Sequence, residues 1–320
     1  MTLAPTVRLA HASLLEILAL LDERLAAGAT SISLEVLDPE FGRGRCAGEW
    51  VEHDGQRYLH RPFRVWVDLA ERRGLRLLTP RVRAAPLIEL TFEPLDRSLE
   101  LGALLRAADA PSRSERYGAD SPFARVSKLE DPGFVLDLAD ALERALLPSG
   151  ARVLDLGINT GDEFVLLRAL APVLADATLV GVDHSASALA SCRARFPEPR
   201  VELHHADVAT LGSLGLGRFD LVLSIGTLQS PGIDGSALLR QLVRDHLTPR
   251  GAVIFGFPNC RYVDGEVEQG ARMRNFRQPE LGLLVKDVAF FRRYLQQHGR
   301  QVFVTGKHYL LVTGVVGAPG

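Results

Sequence analysis

From Ala151 onward, short apolar runs alternate with stretches of helical spacing, and this alternation constrains the fold more than any other feature of the 320-residue chain. Strands are expected at 153–156, 177–182, 201–205, 219–224 and 252–257, with helices at 161–174, 185–196, 234–246 and 286–298. Short runs that are apolar throughout suit strands buried on both faces, and a helical crossover makes neighbouring strands parallel. The closing runs 301–304 and 308–313, joined by Thr305-Gly306-Lys307, predict an antiparallel hairpin at one edge. The expected fold class is α/β: a doubly wound, mostly parallel sheet with a smaller α/β module before it.

Residues 1–110 have a different texture. Helices are expected at 12–26 and at 62–73, the second stopped by Gly74, with strand-like runs at 31–37, 75–78 and 87–92. Gly42, Gly44 and Gly48 read as loop. Residues 111–133 contain Pro111, Ser112, Ser114, Gly118, Pro122 and Asp131-Pro132-Gly133, the composition of a connector. The same stretch carries Tyr117, Phe123 and Arg125, which suit a lid over a ligand. The expected organisation is an accessory module at 1–110, a connector at 111–133 and a ligand-binding domain at 134–320.

Charge and cysteine content narrow the function classes. The first 110 residues hold 14 Arg and no Lys against 16 Asp plus Glu, and the formal net charge of the chain is −2. No basic stripe advertises a nucleic acid or an anionic membrane. The apolar run 14–21 is short and contains Glu16, so an amphipathic helix is expected there rather than a signal peptide or a membrane span. Cys46, Cys192 and Cys260 lie too far apart for a disulfide framework or a metal pair. His204 and His205 are adjacent on a strand and point to opposite faces, so no metal site is expected. A reducing cytoplasm is the expected compartment.

The most informative segment runs from Val153 to Glu163, reading VLDLGINTGDE. A buried strand enters a glycine turn and then a helix. Gly157 and Gly161 allow backbone angles and close approaches that a Cβ would forbid, and Thr160 and Glu163 have capping-box spacing. This is not the GxGxxG spacing of dinucleotide folds, and Asp155 at the strand end would repel a diphosphate. An acid there suits a cationic amino group. Asp183 ends the next strand, where a carboxylate takes both ribose hydroxyls in related nucleotide sites. Asp207 follows the third strand and suits an adenine amino group, with the Val208 N–H for a ring nitrogen.

These segments, with the strand 219–225 and Leu247-Thr248-Pro249-Arg250-Gly251, resemble the class I S-adenosylmethionine-dependent methyltransferases over about residues 134–315. The resemblance implies a seven-stranded sheet of order 3-2-1-4-5-7-6 and S-adenosylmethionine across the carboxyl ends of strands one to four, leaving S-adenosylhomocysteine as product. It implies a cofactor-binding set of Asp155, Gly157, Asn159, Gly161, Asp183, His184, Asp207, Val208 and the main chain near Ile225. The chain departs from the family at Asn159, where glycine is usual; Asn tolerates left-handed angles better than most residues.

Strand five leads into residues 258–285, a stretch with little regular pattern, which suits acceptor binding. Asn259, Tyr262, Glu266 and His308 are the catalytic candidates, with Asp264 as a further base; Cys260 lacks an activating partner. The expected activity is methyl transfer to a small-molecule acceptor. The alternatives are an RNA (tRNA or rRNA) methyltransferase and a non-catalytic S-adenosylmethionine-binding protein. The segment Ser224-Ile225-Gly226-Thr227 is not the asparagine-proline-proline-tyrosine motif of DNA adenine methylation.

Overall fold

Ser13 and Glu16 form a capping box that starts the first helix, α1 (Leu14–Ala26): the Ser13 hydroxyl accepts the Glu16 N–H, and the Glu16 carboxylate accepts the Ser13 N–H. A computed structural model of the chain describes residues 6–41, 44–95, 115, 118, 121, 127–230, 232–263, 266–269, 281–307 and 309–317. It divides into two compact units, Met1–Glu100 with Tyr262–Glu268, and Leu101–Arg261 with Gln269–Gly320.

In the first unit, β1 (Val7–Arg8), β2 (Ile32–Leu37), β5 (Leu75–Leu77), β6 (Arg81–Val82) and β7 (Leu87–Pro94) make a five-stranded sheet. β2 runs parallel to β1 and antiparallel to β7, and β5 and β6 pair with β7. Strand alternation places Ile32, Leu34 and Val36 on the same face as Ile88, Leu90 and Phe92. They pack there with Ile17 and Leu21 of α1 and with Trp66, Leu69 and Ala70 of α2 (Phe63–Arg73). A separate hairpin, β3 (Trp50–His53) and β4 (Gln56–Leu59), turns at Asp54-Gly55, whose φ values of 50° and 71° are those of a type I′ turn.

The second unit holds a seven-stranded sheet. In chain order its strands are β8 (Arg152–Leu156), β9 (Thr178–Asp183), β10 (Val201–His205), β11 (Phe219–Ile225), β12 (Leu247–Pro258), β15 (Arg300–Gly306) and β16 (Tyr309–Val316). They lie in the order β10-β9-β8-β11-β12-β16-β15, parallel as far as β12 and antiparallel thereafter. This is the 3-2-1-4-5-7-6 order implied by the family resemblance.

Successive strand residues feed opposite cores. Val153, Leu179, Leu221 and Ile254 join α3 (Pro132–Ala145), α4 (Asp162–Leu170) and α5 (Ala186–Arg195) on one face. Leu154, Val180, Val222 and Val253 join α6 (Gly235–Gln241) and α7 (Leu281–Gln297) on the other.

Three local expectations need correction. No side-chain cap forms between Thr160 and Glu163: Gly161 is the N-cap of α4, and Glu163 is buried in an ion pair instead. The expected helix at 234–246 is α6 followed by a π turn, Leu242–His246. Residues 258–285 are not patternless, because β13 (Cys260–Val263) pairs with β14 (Glu266–Gln269) and α7 begins at Leu281. Among the described residues, no helix is long and apolar enough to cross a membrane.

Candidate functional site

The glycine turn joins β8 to α4. Gly157, Asn159 and Gly161 have φ of 79°, 50° and 91°, so the asparagine takes the left-handed angle expected of it. A Cβ on Gly157 would stand 1.9 Å from Thr227 Oγ1, and one on Gly161 would stand 2.6 Å from Phe196 Cε2 and 2.9 Å from Cys192 Sγ. Close approach of the chain's own side chains therefore demands both glycines, in addition to any approach by a ligand.

Asp183 ties this turn to the next one. Its Oδ2 accepts the Asn159 N–H at 2.9 Å, and its Oδ1 accepts the Ser185 N–H at 2.8 Å. A carboxylate oxygen accepts more than one hydrogen bond, so both oxygens retain capacity for ligand hydroxyls. Ser185 caps α5 through its hydroxyl. Glu115, from the connector, accepts the Ala186 N–H at 2.8 Å and the Ser185 hydroxyl at 2.9 Å.

Asp155 is 0% exposed, and neither of its carboxyl oxygens has a partner among the described residues. Beside it lies Glu163, 1% exposed, whose Oε1 pairs with the Lys128 ammonium while Oε2 is unpartnered. Burial, reinforced by the Glu163 charge, raises the Asp155 carboxyl well above the usual carboxylate range, against the pull of Lys128. Burial weighs against the Lys128 ammonium, yet Glu163 and other neighbours hold it protonated above its ordinary value. Burial and the nearby Asp155 push the Cys192 thiol up to about 12, so this cysteine is an inert packing residue.

The remaining cofactor candidates line the carboxyl ends of the strands. Asp207 caps the short 3₁₀ turn Val208–Leu214, its Oδ1 accepting the Ala209 N–H at 2.8 Å. Val208 is buried, and His184 follows Asp183 with its carbonyl 3.0 Å from His205 Nε2. Ile225 ends β11, and the next N–H, of Gly226, donates to Gly256.

The acceptor candidates fall in both compact units or outside the described residues. Asn259 Nδ2 donates to the Lys307 carbonyl at 2.9 Å, leaving its buried Oδ1 unpartnered. Tyr262 and Glu266 lie on β13 and β14 and belong to the first compact unit, whereas Asn259 belongs to the second. His308 lies outside the described residues, as do Asp264 and the expected lid residues Tyr117, Phe123 and Arg125.

Lys128, Glu163 and Glu115 were not among the expected site residues. Lys128 is one of only three lysines in an arginine-rich chain, which is a signal; nothing in the sequence marks Glu115. Among the described residues, no group of three His, Cys, Asp or Glu side chains is placed to hold a metal ion.

Residues 153–251, from β8 to the start of β12, match the methyltransferase-domain family. Those residues carry a methyltransferase domain, and its sheet has the strand order that the class I resemblance implies. Over 71 residues the chain is 44% identical to trans-aconitate 2-methyltransferase of Variovorax paradoxus (strain S110). That match covers 22% of this chain and 26% of the relative, so the chain spans about a quarter of the curated relative's length.

Several solved structures are similar to part of the chain. A TehB-like S-adenosylmethionine-dependent methyltransferase from Corynebacterium glutamicum is 18% identical, with TM-score 0.37, covering 56% of this chain and 88% of that one. Aeropyrum pernix fibrillarin with bound S-adenosylmethionine is 14% identical, with TM-score 0.40, covering 56% and 74%.

The methyltransferase domain fits the family's methyl donor on its own chemistry. S-adenosylmethionine carries an ammonium and a sulfonium, and the unpartnered carboxyl of Asp155 suits a cation. Asp183 has room for ribose hydroxyls at the neighbouring strand end.

Proposed function

We propose that the chain is an S-adenosylmethionine-dependent methyltransferase acting on a small-molecule acceptor. The observation that carries this reading is the buried, unpartnered Asp155 carboxyl at the end of β8, inside the matched domain. Asp155 balances the positive charge of the ligand. Asp183 holds the ribose hydroxyls, and Asp207 with the Val208 N–H reads the adenine edge. The main chain at Ile225 supports the methionine part, and His184 flanks the ribose. When bound, S-adenosylmethionine supplies an electrophilic methyl group on a sulfonium. The protein's work is then positional: a nucleophile held about 3–3.5 Å from that methyl gains most of the available rate. On the acceptor side, the Asn259 amide orients without ionising. Tyr262, Glu266 and His308 are the candidates to take a proton where the acceptor must lose one.

A small acceptor is supported by the 44% identity over 71 residues to a methyltransferase named for trans-aconitate. It is further supported by the balance of 14 Arg against 16 acids in residues 1–110, which lacks the excess that RNA binding needs. The test is transfer of labelled methyl from S-adenosylmethionine in cell extract separated into small-molecule and RNA fractions. Label in the small-molecule fraction is expected. Label confined to RNA overturns the acceptor class, and failure to bind S-adenosylhomocysteine overturns the whole reading.

A further inference from the structure

The first compact unit carries a concavity of about 550 Å³, open to solvent and lined by Arg8, His11, Trp50, Gln56 and Arg57. Its composition is unusual for a solvated surface. Trp50 is 45% exposed, although a large indole is normally covered. The Arg57 guanidinium lies over the Trp50 ring, 4.8 Å from its centroid, so one indole face is covered and the fork is stacked on it. His11 is fixed opposite random motion twice: its ring stacks on Tyr58 at 5.3 Å, and its Nδ1 donates to the Arg57 carbonyl.

The two arginines are held but not used up. Arg8 approaches Glu35 through Nε at 3.6 Å, and Arg57 approaches Glu52 through Nε at 3.9 Å. In both, the contact runs through Nε, and a guanidinium fork matches a carboxylate through paired hydrogen bonds. The Gln56 carboxamide adds a neutral donor.

We propose that this concavity is a binding site for planar carboxylates, aryl or conjugated, with the π face against the Arg57 guanidinium stacked on Trp50 and the carboxylate on Arg8. The site is independent of the methyl-transfer reading. A nucleic acid fits it less well, because tracking a phosphate backbone takes a row of uncompensated cations. Here each arginine has an acid close by.

The chain has two tryptophans, and the other, Trp66, is buried at 1% exposure, so indole fluorescence reports on Trp50. The full-length protein is titrated with benzoate, benzamide, cyclohexanecarboxylate and oligouridylate. Benzoate should change the emission saturably. Benzamide, lacking the charge, and cyclohexanecarboxylate, lacking the π face, should each bind at least about tenfold more weakly. R57K, which keeps charge but loses the fork, should weaken benzoate severalfold. R8Q should do the same, with the thermal midpoint of both variants unchanged. The proposal is overturned by an absent or non-saturable response to benzoate, by equal binding of benzamide, by benzoate affinity indifferent to both substitutions, or by tight oligouridylate binding without benzoate binding.

Discussion

Replacing Lys128 by methionine tests the electrostatics of the site directly. The substitution keeps an unbranched apolar stem and removes the ammonium that pairs with Glu163 and faces Asp155. Removing one partner of a buried pair costs about 3–5 kcal/mol, because the other charge is left uncompensated. The Lys128 side chain is 20% exposed, so some water reaches the gap and the low end, about 3 kcal/mol, is expected. For a domain of roughly 200 residues that is a fall of about 6–12 °C in thermal midpoint.

The loss should depend on pH. Asp155 has a raised pKa in the folded state, so between its unfolded value and its folded value the folded state binds more protons. Stability then falls as pH rises through that window. Without Lys128 the charge that lowers Asp155 is gone, the window extends upward, and the deficit of the variant grows with pH. Thermal melts of K128M and of K128M with E163Q, at mildly acidic and mildly alkaline pH, provide the measurement. The double variant should recover at least about half of the loss, since no uncompensated charge remains at position 163. A K128M midpoint that matches the parent at both pH values, or a double variant as unstable as the single one, refutes the reasoning.

Three further outcomes follow from the same geometry. A cation that pairs with Asp155 lowers its raised pKa, so S-adenosylmethionine should bind more tightly as pH rises above the ordinary carboxylate range and release a proton on binding; calorimetry in buffers of different ionisation enthalpy reads this, and D155N should abolish it. D183A should weaken S-adenosylhomocysteine by roughly 1.5–3 kcal/mol and also lower the thermal midpoint, because the Asn159 and Ser185 N–H groups lose their acceptor; unchanged affinity by calorimetry removes Asp183 from the site. N259A should lower turnover while leaving S-adenosylhomocysteine affinity nearly unchanged, and full activity on an identified substrate would place the acceptor elsewhere.

What was legible in the sequence is what local chemistry encodes. The strands of the seven-stranded sheet and the left-handed Asn159 follow from apolar runs and turn residues lying within a few positions of each other, while the order of those strands came from the family resemblance. The β3–β4 hairpin was not read: Asp54-Gly55 is a turn signal, but its strands are only four residues each and too short to show a period. Pairings between distant residues were not legible. Glu163 has capping spacing with Thr160, and that local reading is reasonable until Lys128, 35 positions earlier, arrives to compete for the carboxylate. A buried ion pair between two elements leaves no periodic trace.

The same distinction changes what the glycines mean. Read locally, Gly157 and Gly161 are a ligand cradle. In the fold, Thr227 from the segment after β11 and Cys192 and Phe196 from the end of α5 fill the space their Cβ atoms would take. The turn is thus braced by two neighbouring crossovers, and Asp183 adds a third brace by accepting the Asn159 N–H. A G157A substitution therefore acts first on folding: its Cβ would stand 1.9 Å from Thr227 Oγ1, on a backbone already at φ 79°. Combining it with T227G opens the space but keeps the left-handed angle, which costs roughly 1–2 kcal/mol for a non-glycine residue. The double variant should therefore regain part of the thermal midpoint lost in G157A. If it regains none, the collision with Thr227 is not what requires glycine at this position, and the backbone angle alone carries the requirement.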